Sequence, residues 1–197
     1  MDVVKLLEAA ALLVPEELAT EDDMTVDDVW DHLVRDEWEV ALGVLEELAD
    51  VPPPPPAFWE QLAAAAEQMR LEESAAWCHW RCFETLNGVI RADLSLRPAP
   101  GTGRRTAIPG HGVLRPMWDI GNLTTAGEPV LDIARLRVES TPVLEPGGRA
   151  VVRLAPLNPP RWRHLGPGQV ITMYEDRDAA GSAVVLEARR PAGTPAP

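Results

Sequence analysis

The sequence lacks features that would place it among secreted or membrane proteins. It contains two cysteines, Cys78 and Cys82, which are too few for a disulfide framework and agree with a reducing compartment. The apolar run at residues 3–14 is interrupted by Glu8 and has neither the basic flank of a signal peptide nor the length of a membrane span. We therefore expect a cytoplasmic protein with no membrane partner.

Basic side chains are scarce in the first half of the chain. Residues 1–100 carry 22 acidic and 6 basic side chains, a formal charge of −16, whereas residues 101–197 carry 9 acidic and 12 basic ones, a charge of +3. An acidic surface repels phosphate backbones, so this composition disfavours sequence-independent binding of nucleic acid by the whole protein. Only the second half has the charge to attract an anionic partner.

Motifs of common catalytic and metal sites are also missing. The chain has no GxxxxGK[ST] phosphate loop, no GxSxG nucleophile turn and no HExxH zinc motif. Cys78 and Cys82 are four residues apart with His79 beside them, but zinc needs two further ligands and the other histidines lie in distant segments. We predict no catalytic residue, no metal and no cofactor, and we interpret the cysteines as small core residues of a helix pair.

Apolar residues recur at helical spacing in five segments of the first 88 residues. Thr25 and Asp28 form a capping-box pattern in front of the second segment. Pro15 ends the first segment and the prolines at 52–56 end the third, because proline cannot donate to a helical ladder. The first part of the chain is therefore predicted to be helical throughout.

The last two helical segments are similar to a tetratricopeptide repeat. Residues 59–66 (WEQLAAAA), followed by Ala75, place small side chains where the paired helices of such a repeat cross closely. His79 and Asn87 stand where the repeat has a large residue and a proline. The resemblance implies antiparallel helical hairpins, the second of which ends at Asn87 before Gly88, a typical helix C-terminus.

The hydrophobic period changes from helical to alternating after Gly88, and residues 90–97 predict a strand. Five further strand candidates follow between glycine and proline turns: Val113 to Ile120, Leu131 to Val138, Ala150 to Leu154, Gln169 to Glu175 and Ser182 to Ala188. Six short strands favour a small closed barrel, which leaves no sheet edge exposed. We therefore predict an α+β protein with an acidic helical domain at 1–88, a six-stranded antiparallel β-barrel at 89–188 and a disordered tail at 189–197.

Residues 89–188 resemble the C-terminal β-barrel domain, the third domain, of elongation factor Tu. Residues 103–106 (GRRT) are similar to that family's G-R-H-T loop, and residues 115–118 (RPMW) to its Y-R-P-x-F strand. Residues 167–168 (PG) correspond to its P-G-D turn, and residues 175–183 (EDRDAAGSA) to its final hairpin. The order and spacing of these pieces imply the family's barrel over about half of the chain.

In that family the barrel contacts the T-stem of aminoacyl-tRNA and the nucleotide-exchange partner, so the resemblance implies an interface at the barrel loops. This chain lacks the second barrel and the GTPase motif, and Asp176 and Asp178 would repel a phosphate at close range. The residues that the resemblance and the local composition indicate as binding residues are Arg104, Arg105, Thr106, Arg115, Arg161, Trp162 and Arg163.

The segment 161–164 (RWRH) leaves two interpretations open. Its tryptophan and arginines can form a surface for RNA or for an acidic protein face, or Trp162 can pack into the barrel beneath a solvated loop. Arg104, Arg105 and Arg115 would extend the cluster into one basic rim if they lay beside it. Alternatively, these arginines dock the barrel onto the acidic helices.

These patterns favour a non-enzymatic binding protein. The acidic helices would steer a basic protein partner, with exposed tryptophans as anchors. One form of this function is an immunity or antitoxin protein that neutralises a basic toxin. The alternative is binding of tRNA or of a translation factor through the basic barrel rim.

Overall fold

The chain divides into a helical unit, Met1–Leu86, and a β unit, Asn87–Pro197. No helix in the described part of the chain combines the length and the apolar composition that a membrane crossing requires. The computed structural model describes residues 2–49, 54–98, 105–112, 114–139, 141–176 and 178–191.

The described part of the first unit contains five helices, as predicted. They are α1 Val3–Ala11, α2 Val26–Val34, α3 Trp38–Leu48, α4 Pro56–Met69 and α5 Glu72–Asn87. Helix α4 begins at Pro56 because the first turn of a helix does not need the missing N–H. Helix α5 ends where Gly88 takes a φ of 82°, a conformation that glycine adopts at little cost.

Helix α2 begins with the predicted capping box. The Asp28 carboxylate accepts a hydrogen bond from the Thr25 backbone N–H at 2.8 Å and another from the Thr25 hydroxyl at 3.0 Å. These hydrogen bonds hold the pKa of Asp28 below its ordinary value. The negative charge therefore persists in the first turn of α2, where it interacts favourably with the helix dipole.

One buried apolar cluster joins residues from all five helices. Helix α1 packs on α4, and α2 packs on α3. Small side chains on α1 and α4 let two helix backbones approach closely. The alanines of these helices that are at most 2% exposed include Ala10, Ala11, Ala63 and Ala66.

Helix α5 contacts α4 through side chains near both ends of α4. His79 Nε2 lies 2.8 Å from Glu67 Oε1 near the end of α4, and Cys82 Sγ lies 3.9 Å from the Pro56 carbonyl oxygen at its beginning. Cys78 is buried in the helical core, and Cys82 packs against it. The interpretation of both cysteines as core residues of a helix pair is confirmed.

The helical unit buries one of its few basic side chains. Arg81, 4% exposed, has its Cζ 4.5 Å from the Trp59 ring centroid and 5.1 Å from that of Trp77. Its Nε lies 3.4 Å from a Glu84 carboxylate oxygen. The aromatic faces and the carboxylate together offset the cost of removing the guanidinium from water.

The described part of the second unit forms a closed six-stranded antiparallel barrel and a small two-stranded sheet. Its strands are β1 Val89–Leu96, β2 Ile108–Pro109, β3 Met117–Leu123, β4 Pro129–Val138, β5 Val143–Leu144, β6 Arg149–Pro156, β7 Val170–Glu175 and β8 Asp178–Arg189. β2 pairs with β5, and the other six close in the order β1-β6-β4-β3-β7-β8. The predicted barrel is confirmed, and each of the six predicted strands contributes to it.

Alternate residues of the barrel strands fill the interior. In β1 the residues of the barrel core are Ile90, Ala92, Leu94 and Leu96, the set that the alternation predicts. Ile108 and Leu144, from the two-stranded sheet, join the same core. Burial of each large apolar side chain stabilises the fold by about 1.5–3 kcal/mol.

The strand pairings assign every connection to one of two barrel ends. Val89, the first residue of β1, pairs with Arg189, the last residue of β8, and the connection 157–169 lies at this end. The opposite end carries the connection 97–116, between β1 and β3. We call these the 157–169 end and the 97–116 end.

We predict that Gly181→Ala lowers the free energy of unfolding of the barrel by about 1–3 kcal/mol. A Cβ at Gly181 would lie 2.8 Å from the Ser95 backbone oxygen, so β1 has to move. Urea denaturation followed by tryptophan fluorescence measures the loss. The control is Gly43→Ala in α3, where a Cβ meets nothing within 4 Å and a gain of about 0.5–1 kcal/mol is expected. An unchanged midpoint for Gly181→Ala would contradict the close approach of β8 to β1.

Candidate binding surfaces

Several arginines of the barrel wall neutralise acids of the barrel itself. Arg91 Nη2 lies 2.8 Å from Glu139 Oε2, and Arg153 Nη1 lies 3.1 Å from Glu139 Oε1. Glu187 is 3.6 Å from Arg91 and 2.5 Å from Arg189. These side chains form a continuous network across β8, β1 and β6, so their charge is used within the unit.

The network shifts the pKa values of Glu139 and Arg91. Burial disfavours the charged form of Glu139, but the hydrogen bonds and charges of Arg91 and Arg153 outweigh it and hold the pKa of Glu139 below its ordinary value. The hydrogen bonds with Glu139 raise the pKa of Arg91. The ion pairs are therefore fully charged at neutral pH.

Arg161, a predicted binding residue, pairs with a buried acid. Its Nε lies 2.5 Å from Asp132 Oδ1, and its carbonyl oxygen accepts a hydrogen bond from Asn122 Nδ2 at 3.2 Å. Asn122 also donates to Asp132 Oδ2 at 2.9 Å. The guanidinium of Arg161 thus compensates a carboxylate of β4 and has less charge to offer to a partner.

Trp162 lies in the barrel core and is 2% exposed. It ends a short 3-10 helix, Pro159–Trp162, and in the turn that follows the Leu165 N–H donates to the Trp162 carbonyl oxygen at 3.1 Å. Both side chains belong to the barrel core. The interpretation of Trp162 as an exposed stacking surface is therefore corrected, and the alternative, a tryptophan packed into the barrel, is observed.

The predicted single basic rim is also corrected. Arg163 is exposed in the connection 157–169, whereas the exposed Arg105, Thr106 and Arg115 belong to the connection 97–116 at the opposite barrel end. Antiparallel pairing of the strands separates the two groups by the length of the barrel. Arg104 lies outside the described residues.

A groove of about 140 Å³ opens beside Arg163 at the 157–169 end, and we call it the barrel-end groove. Its apolar lining includes Ile90, Leu165 and Trp162. Its basic lining residues are Arg163, Arg189 and Arg190. Arg163 and Arg190 are exposed, and neither forms an ion pair within the described ranges.

The prediction from the sequence does not include Arg190 in this groove. It assigned residues 189–197 to a disordered tail, but β8 includes Arg189, and both Arg190 and Pro191 line the groove. Residues 192–197 lie outside the described residues. The apolar alternation of β8 ends at Ala188, so no periodic signal marks the last paired residue.

A wider groove of about 400 Å³ lies at the beginning of α3, and we call it the acidic groove. It is lined by Asp36, Glu37, Trp38, Glu39, Val40 and Met69. Glu37 Oε2 lies 2.6 Å from His32 Nδ1 and 3.7 Å from an Arg35 guanidinium nitrogen. Asp36 and Glu39 are exposed and form no ion pair in the part of the chain that the structure describes.

The expectation of exposed tryptophan anchors is corrected. All seven tryptophans are described: Trp59, Trp80, Trp118 and Trp162 are buried, and Trp30, Trp38 and Trp77 are half-buried. Trp59 lies in the helical core with Trp30 and Trp38 packed against it, and Trp118 and Trp162 lie in the barrel core, so these rings remove large apolar areas from water. Trp38 both packs against the helical core and lines the acidic groove.

Other sources of functional information give no assignment. Among the described residues, no three His, Cys, Asp or Glu side chains converge in a group that could hold a metal ion. Comparison with protein-family models and with characterised proteins finds no match to the chain. The functional proposal therefore depends on the shape and charge of the two grooves.

We predict that Glu139→Gln destabilises the barrel in a pH-dependent way. Because the folded-state pKa of Glu139 is lowered, its charge stabilises the fold above the ordinary value of 4.5, and this contribution is lost as the pH falls below it. The variant should lose about 2 kcal/mol of unfolding free energy near neutral pH. Urea titrations between acidic and neutral pH measure the difference.

Glu145→Gln is the matched control, because Glu145 is exposed after β5. It should leave the free energy of unfolding unchanged across the same pH range. A Glu139→Gln deficit that stayed constant from neutral to acidic pH would show that the loss does not come from the ion pairs.

Proposed function

We propose that the protein is a non-enzymatic protein-binding protein whose partner is basic and docks in the acidic groove. The observation that supports this most directly is the composition of the groove. Trp38, Val40 and Met69 give it an apolar lining, and its charged lining residues, Asp36, Glu37 and Glu39, are all acidic. An apolar centre within a rim of complementary charge is the arrangement of protein–protein binding sites that hold their partner tightly.

The charge of the helical unit supports a basic partner. Residues 1–86 contain 21 acidic and 4 basic side chains. Arg81 is buried, and Arg35 is 3.3 Å from Asp31 as well as near Glu37. The negative field outside the groove is therefore weakly compensated, and such a field accelerates association with a positive partner.

The floor of the acidic groove suits an apolar side chain flanked by basic ones. Trp38 is held in place by the helical core, so little conformational entropy is lost when a partner covers it. Met69 is flexible and polarisable, and it adapts to partner side chains of different shape. Asp36 takes a left-handed φ of 59°, a conformation that aspartate tolerates better than most residues. The backbone thereby presents its carboxylate at the groove.

The proposal also includes the resemblance of each unit to a known kind of domain. The consecutive helices α4 and α5 occupy the segment that resembles a tetratricopeptide repeat. The closed barrel occupies the segment that resembles the third domain of elongation factor Tu. Both kinds of domain serve as binding scaffolds, which suits an adaptor. An immunity or antitoxin protein is one form of this function, in which the basic partner is a toxin.

Binding of tRNA or of a translation factor at the barrel is the competing proposal. It needs a broad basic face with an accessible stacking surface. Arg163 and Arg105 lie at opposite ends of the barrel, Arg161 pairs with Asp132, and Trp162 is buried. The geometry of the described residues therefore favours the protein partner.

The proposal predicts that Asp36→Asn with Glu39→Gln weakens binding of a fluorescein-labelled peptide that alternates arginine with leucine. The dissociation constant, measured by fluorescence anisotropy on the full chain, should rise about tenfold, because two carboxylates no longer attract the arginines. Both substitutions keep the shape of the side chain, and asparagine keeps the tolerance for the left-handed backbone at Asp36. Added salt should weaken the wild-type complex.

The control is Glu21→Gln with Asp22→Asn, which removes the same charge from an exposed turn before α2. It should bind the peptide as the wild type does. Equal weakening by both double variants would attribute binding to net charge alone and reject the acidic groove. A wild-type chain that does not bind the peptide at low salt would also reject it.

A further inference from the structure

We infer that the barrel-end groove is a second docking site, which binds an acidic segment of a different protein partner. This goes beyond the proposed function, because it concerns the other unit of the chain and a ligand of opposite charge. Arg163 and Arg190 reach the groove from two separate segments, the connection 157–169 and the residues after β8. Both line one groove, and neither has an ion-pair partner among the described residues, so they leave a local excess of positive charge there.

The exposed guanidiniums suit carboxylates. Each presents N–H donors in a fixed planar fork, which matches the two oxygens of a glutamate or aspartate side chain. The third arginine of the groove, Arg189, is held by Glu187 at 2.5 Å and is less available. Arg163 and Arg190 would therefore provide most of the attraction for an acidic ligand.

The walls of the groove are rigid and partly apolar. Four of the lining residues are prolines, Pro156, Pro159, Pro167 and Pro191. Their fixed φ limits the conformational entropy that the walls lose on binding. The apolar floor of Ile90 and Leu165 offers a place for an uncharged side chain between two acidic ones.

The closure of the barrel fixes the position of Arg190. A Cβ at Gly88 would lie 2.7 Å from the Arg189 carbonyl oxygen and 3.1 Å from the Pro191 ring. The segment 189–191 therefore rests directly on the backbone at the beginning of β1. This contact places Arg190 beside the groove as part of the folded barrel.

The dimensions favour a peptide over a nucleic acid. Nucleic-acid binding requires a row of cations along the phosphates and, for single strands, exposed rings that stack on bases. The barrel-end groove has about 140 Å³ and two arginines without an ion pair in the described part of the chain, and its tryptophan is buried. A short peptide segment with acidic and apolar side chains matches both the arginines and the apolar lining of this groove.

The test measures binding of a fluorescein-labelled peptide that alternates glutamate with leucine to the full chain. Arg163→Gln and Arg190→Gln should each raise the dissociation constant about tenfold, because each removes a charge-assisted hydrogen bond. Arg97→Gln, at an exposed arginine of the 97–116 end, is the control with the same charge change and should leave binding unchanged. The corresponding glutamine–leucine peptide should not bind.

Three results would overturn the inference. They are absence of wild-type binding at low salt, equal weakening by Arg97→Gln, and displacement of the peptide by tRNA whose own binding is lost in the two groove variants. The last result would assign the groove to RNA. The double variant of Asp36 and Glu39 should bind the acidic peptide normally, so failure of the acidic groove and failure of this site are distinguishable.

Discussion

The hydrogen-bonded pairing of β8 with β1 is the constraint on which the β unit depends. It closes the barrel, leaves none of its six strands as an open edge, and sets Arg189 opposite Val89. Because of this register, the chain after β8 lies against Gly88 and forms one wall of the barrel-end groove. A shift of one residue in this pairing would turn the core side chains of β8 toward solvent and move that wall.

The two units handle charge in different ways. In the barrel, Glu139, Asp132 and Asp93 are partly or fully buried, and each of these carboxylates pairs with an arginine. In the helical unit, the acids outnumber the bases and most remain at the surface. The net charge of −13 therefore reflects an uneven surface, and the uncompensated charges at the two grooves have opposite signs.

Much of the fold follows from sequence periodicity, and most of the site does not. Helical spacing and alternation predict five helices and six barrel strands because each element buries one face. β2 and β5 have two residues each, too few to show a period. Predicting that Arg163 and Arg105 lie apart requires the strand order, and predicting the pair of Arg161 with Asp132 requires contacts between distant segments.

The surroundings of the two thiols in the helical unit favour their protonated form. Burial, reinforced by the nearby Glu46, raises the pKa of Cys78, and burial also raises the pKa of Cys82. Because the thiolate is the form that oxidants and alkylating reagents attack, both sulfurs stay protonated and unreactive at neutral pH. A thiol reagent that modified Cys78, which is 0% exposed, would therefore report on opening of the helical bundle.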